Sequence, residues 1–190
     1  MHPYDGLADL LGYPDAVFPA LAHDTRTDVA IRSPEAAAAL SVFVDTTAAL
    51  SAAEMEELYT RTFDLQAPCC LEVGWQIFGD TYNRGSFLVR LRLAARDHGV
   101  AEASELPDHL ATILRVIGRL HDDEDPRGLV QEAVLPAVEK MRASFGDGTN
   151  PYRSVLDAIA TLLASDFAID RAALRRGPRH LPLARPEMTP

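Results

Sequence analysis

Residues 51–65 read SAAEMEELYTRTFDL, and the reading of this stretch decides the fold class. Ser51 and Glu54 stand at capping-box spacing, at which a serine oxygen takes the N3 amide and a glutamate returns to the N-cap amide. Behind them Met55, Leu58, Tyr59, Thr62 and Phe63 recur at three- and four-residue steps and share one helical face. The same period returns on both sides, while alternating β-branched runs of the strand type are missing. An all-α chain folded as one helical bundle is expected.

Working outward, short helices are expected near Tyr4–Leu11 and over Asp15–Ile31. Ser33 reads as an N-cap with Pro34 at the first helical position, where a missing N–H costs nothing. Ser86–His98 forms a further helix carrying Arg90, Arg92 and Arg96. Leu106, Leu110, Ile113, Ile117 and Leu120 make one stripe, and Val130, Val134, Val138, Met141 and Phe145 another, interrupted or restarted at Pro136. Asn150 and Pro151 cap a last helix, Tyr152–Ser165. These elements place a helical domain over residues 1–174, and the Pro- and Arg-rich stretch 175–190 is expected to be a mobile tail.

Of the 190 residues 47% are hydrophobic, enough for a packed core, and the formal net charge is −10. That charge repels phosphate backbones and anionic lipid, which argues against nucleic acid and membrane surfaces as partners. No run approaches the roughly 18 apolar residues of a membrane span, and no export signal is visible at the start, so a cytoplasmic location is expected. Cys69 and Cys70 are adjacent and without a spaced partner, which disfavours a disulfide.

Catalytic chemistry finds little support. There is no G-x-S-x-G, P-loop or G-x-G-x-x-G, and no base is named for a cysteine nucleophile. Glu105 and His109 have i, i+4 spacing, but His2, His23, His98, His121 and His180 show no ligand pattern, so no metal site is expected. Residues 104–110, SELPDHL, read first as a helix start, with Pro107 in the first turn and acids at the positive end of the dipole. At about 100° per residue, Glu105 and Asp108 turn away from the stripe containing Leu110, and His109 lies on its flank. An exposed acid beside a half-exposed histidine suits recognition of a basic ligand. Trp75, the sole tryptophan, is a core residue or the floor of a groove for an amphipathic helix.

The stretches LLGYPD, LYTRTFDL, GDTYNRG, ELPDHL, EAVLPAVEKM and NPYRSVLDAIATLL together resemble the NarJ/TorD/DmsD chaperones of molybdoenzyme maturation. The similarity is greatest to the NarJ-like branch, with CCLEVGWQIFGDT looking nearer to chaperones of exported type II enzymes. The resemblance implies an all-helical protein that is not an enzyme and holds no cofactor tightly. It implies a partner, the catalytic subunit of a molybdopterin oxidoreductase, bound through an N-terminal leader of twin-arginine type. The client's cofactor would be bis-molybdopterin guanine dinucleotide, and the chaperone itself a monomer or weak dimer. By the same resemblance Pro107, Asp108 and His109 match the motif for leader binding. Glu105, Tyr59, Phe63 and Trp75, which are not carried over from the family, complete the expected peptide-binding set. The rivals are a helical adaptor and a nucleotide-binding regulatory protein without such a client.

Overall fold

A computed structural model describes residues 2–65, 69–101, 104–121, 124–146 and 148–174. The expected tail, 175–190, lies outside the described residues. The chain is all-α: α1 Pro3–Asp9, α2 Phe18–Arg32, α3 Pro34–Thr47, α4 Ala52–Tyr59, α5 Val73–Phe78, α6 Tyr82–Asp97, α7 Leu110–Ile117, α8 Arg127–Leu129, α9 Leu135–Ser144, α10 Tyr152–Asp166 and α11 Arg171–Leu174.

Local signals set most of these boundaries. Ser33 Oγ accepts the Ala36 amide at 3.2 Å, and Pro34 opens α3. The Ser51–Glu54 capping box forms in both directions, with the Ser51 amide 2.8 Å from Glu54 Oε2. Asn150 Oδ1 takes the Tyr152 amide at 3.0 Å at the start of α10. The restart at Pro136 is more specific than expected. A π-helical turn, Val130–Val134, runs into α9, and Pro136 sits in the first turn of α9.

α3 and α10 pack through the centre of the molecule. The Phe43 ring of α3 stands 5.2 Å from that of Tyr152 in α10, and Leu40, Leu156 and Ile159 belong to the same core, all fully buried. Each such aliphatic side chain contributes about 1.5–3 kcal/mol by leaving water. The face beginning at Met55 is buried too, but α4 does not continue as an α-helix through it. Thr60–Asp64 widens into a π-helical turn, with the Leu65 amide reaching Thr60 O at 3.1 Å. Thr62 Oγ1 donates to Leu58 O and accepts from Asn150 Nδ2 at 2.7 Å, so the widened turn is held from inside.

α1 lies along α7. Arg115 and Arg119 reach across to Asp9 and Asp5 at 2.5 and 2.6 Å. α6 and α7 run in the same direction. The residue at 84, near the start of α6, touches the segment just before α7, and His98 at the end of α6 touches the segment just after it. Among the described residues no helix is long and apolar enough to cross a membrane.

Candidate functional site: the 71–75 and 104–110 segments beside Tyr59

The expected first turn of a helix at Pro107 does not form. Leu106–His109 is a turn, closed by the His109 amide on Leu106 O at 2.9 Å, and α7 starts only at Leu110. The segment instead pairs with the chain before α5. The Val73 amide donates to Asp108 O and the Leu110 amide to Leu71 O, both at 2.8 Å, around an isolated antiparallel bridge between Glu72 and His109.

This pairing reverses the expected direction of Asp108. Its side chain is 0% exposed rather than outward-facing. Helical projection from Leu110 fails because Asp108 is not helical. Its carboxylate instead receives a forked guanidinium, with Arg84 Nε on Oδ2 at 2.9 Å and Nη2 on Oδ1 at 3.4 Å. Arg84 is 17% exposed and lies 5.6 Å from the centre of the Trp75 ring. Gly74 makes room for the pair, since a Cβ there would lie 2.5 Å from Asp108 Oδ2.

His109 is likewise buried rather than half-exposed, and its job is to cap α7. Nδ1 accepts the Ala111 amide at 3.3 Å, which requires that nitrogen to be unprotonated. Burial, the largest influence, lowers the imidazole pKa below the usual histidine value, partly opposed by the charges of Glu105 and Glu72. Phe63 is a core residue, with its ring 4.8 Å from Tyr152 and 5.2 Å from Tyr59. Leu106, expected on the apolar stripe, is 46% exposed because it precedes the helix.

Four of the expected residues do reach the surface here. Trp75 is 43% exposed, Glu105 is exposed, and Pro107 and Tyr59 are half-buried. Tyr59 donates to Leu11 O at 3.2 Å, and its ring stands 5.4 Å from Tyr13 in an edge contact. Burial pushes its phenol up to about 12, with the charges of Asp64, Glu105 and Glu72 adding to it. Next to this ring a groove of about 380 Å³ is lined by Tyr13, Ala53, Glu56, Glu57, Thr60, Arg61 and Leu65. The groove therefore joins Tyr13 and Leu65 to the α4 carboxylates Glu56 and Glu57 and to Arg61, while Asp64, Glu105 and Glu72 are close enough for their charges to act on Tyr59. Such a lining accepts arginine or lysine at its acids and apolar side chains at its floor.

Cys69 and Cys70 are not joined in a disulfide. Cys69 Sγ lies 2.6 Å from Ser144 Oγ, and burial pushes the Cys70 thiol up to about 11, so at neutral pH it is not a thiolate nucleophile. Arg84 and Gly74 were missed by sequence reasoning. An arginine 24 residues from its carboxylate leaves no local spacing signal, and the glycine's role appears only once the two segments lie together.

The sequence profile described as "Nitrate reductase delta subunit" matches residues 30–166, well over half of the chain. The chain belongs to this family. It is also similar to the nitrate reductase molybdenum cofactor assembly chaperone NarJ of Escherichia coli K12. That similarity is 25% identity over 170 residues, covering 86% of this chain and 70% of NarJ, and the NarJ of E. coli O157:H7 matches to the same extent. The profile spans both the π turn after α4 and the 104–110 segment, so the site lies within the family's matched region.

Proposed function

We propose that this chain is an assembly chaperone for a molybdoenzyme, acting in the cytoplasm and without catalytic activity of its own. It binds the N-terminal leader of a molybdopterin oxidoreductase catalytic subunit and holds the apo-enzyme until bis-molybdopterin guanine dinucleotide is inserted into the client. The observation that carries the reading is the acid-rimmed aromatic surface at Tyr59. Glu56 and Glu57 line the groove with Tyr13, Leu65 and Arg61, and the charges of Asp64, Glu105 and Glu72 act on the Tyr59 phenol beside it, which suits a leader with paired arginines followed by apolar residues. Membership of the delta-subunit family and the named activity of the NarJ relatives support it. The net charge of −10 favours encounter with a basic leader.

In this reading Glu105, Tyr59, Trp75 and Pro107 meet the leader. Asp108 and His109 act indirectly, by fixing the loop that presents Glu105. The test is a titration with a synthetic peptide that carries paired arginines followed by apolar residues, as at the N-terminus of a twin-arginine molybdopterin oxidoreductase subunit. Trp75 fluorescence and calorimetry give two readouts. Saturable binding that weakens in Glu105→Gln and Glu56→Gln, and with rising salt, is expected. Binding indifferent to both substitutions and to salt would remove the surface from the mechanism.

A further inference from the structure

Sequence spacing offers no metal ligands, yet the fold brings three together at the far end of the α6–α7 pair. His98 ends α6, while His121 and Glu124 stand in the segment after α7. One ligand atom from each lies within 4.8 Å of the others. We propose that His98, His121 and Glu124 form a binding site for a divalent transition-metal ion of the zinc class, which staples the end of α6 to the segment following α7.

One pair already stands at the separation of a filled site. His98 Nε2 and Glu124 Oε1 are 3.1 Å apart. Two ligands about 2.0–2.1 Å from a tetrahedral zinc stand about 3.3 Å apart, so an ion enters between these atoms with little movement. The imidazoles of His98 and His121 already face one another at 5.9 Å between ring centres. The carboxylate is held in advance. Glu124 Oε2 accepts the His121 amide at 2.9 Å and the Glu124 amide donates to His121 O at 3.0 Å, which leaves Oε1 directed to His98.

His98 is the second observation. Its side chain is only 10% exposed, and its Nδ1 is buried with no hydrogen-bond partner among the described residues. Burial of the ring away from other hydrogen-bond partners leaves Nε2, the nitrogen turned to Glu124, as the atom offered to an ion, with the ring's proton on Nδ1. Two imidazoles and a carboxylate select zinc, cobalt or nickel over magnesium and calcium, which prefer all-oxygen shells. Three protein ligands leave a fourth position for water. The ion adds positive charge to an acidic segment, so charge favours occupancy as well.

The experiment is calorimetric titration of the tag-free, chelator-stripped full chain with zinc chloride, followed by cobalt absorption spectroscopy. One equivalent of zinc is expected, with a visible four-coordinate cobalt spectrum and no competition from magnesium. Losing a ligand weakens a site at least as much as losing its outer support, so His121→Ala and Glu124→Gln should each weaken binding by about tenfold or more. At roughly a hundredfold excess over Kd, zinc should raise the melting midpoint of the parent chain by about 5 °C or more and leave His121→Ala unmoved. His121 and Glu124 are exposed, so neither substitution threatens the fold. Absence of saturable zinc binding overturns the proposal. So does binding that persists undiminished in both variants, since it would then reside on other histidines.

Discussion

The parallel helices α6 and α7 are fastened at both ends by polar groups, and the two fastenings are built on opposite plans. At their starts, Asp108 is sealed from water and its carboxylate is matched by the Arg84 fork, with Gly74 yielding the space. At their ends, His98 meets Glu124 across one contact, a buried nitrogen stays unmatched among the described residues, and His121 stands beside them in solvent. A buried ion pair with its hydrogen bonds made has no capacity left for a ligand, and its removal strands a charge. A half-exposed cluster with spare lone pairs contributes little by itself and has capacity to spare. Charged residues in a motif therefore divide by burial into those that build a surface and those that can bind something.

The sharpest way to break this contrast is Asp108→Ala. It leaves Arg84 partly buried without its partner and should cost about 3 kcal/mol in urea unfolding, at the low end for a buried pair because Arg84 retains some access to water. A loss below 1 kcal/mol would mean that the starting end is not the rigid one. Gly74→Ala attacks the same end through packing. The added methyl is aimed at Asp108 Oδ2, and a loss of about 2 kcal/mol is expected, together with a changed Trp75 emission as Arg84 shifts over the ring.

Acid should also act on the starting end. His109 is held neutral by burial, so the unfolded chain takes up its proton at a higher pH than the folded chain does. Its contribution is complete above about pH 6.5 and is lost as the pH falls below that towards the lowered native pKa. His2, which caps α1 through Nδ1 on the Tyr4 amide and is likewise lowered by burial, acts in the same sense. Stability should fall by about 1 kcal/mol between pH 7 and pH 5.5, and His109→Asn, which caps without titrating, should flatten the profile. An unchanged slope in that variant would locate the titration elsewhere. The smallest effect belongs to the other end. Without metal, Glu124→Gln should change stability by no more than about 0.5 kcal/mol, since it removes a contact at a partly exposed carboxylate.

The peptide-binding set expected from sequence separates along the same line. Tyr59, Trp75, Pro107 and Glu105 reach the surface, whereas Asp108, His109 and Phe63 are buried. The error at Asp108 came from extending helical periodicity three residues too far towards the N-terminus. Caps such as Ser51–Glu54, Ser33–Pro34 and Asn150–Pro151 were legible because both partners lie within one turn. The start of α7 was not, because its cap is a histidine and the chain before it is held by residues 71–73.

The sequence by itself determined the all-α class, the capped starts of α3, α4 and α10, the buried faces from Met55 and Val130, and the resemblance that the delta-subunit profile supports. All of these rest on interactions within a few residues, or on order along the chain. Only the tertiary structure decided that Asp108 faces inward onto Arg84, that Gly74 exists to admit it, and that His98, His121 and Glu124 converge. Those facts depend on which helix ends meet in space, and burial and pairing across 23 or more residues leave no trace in local spacing.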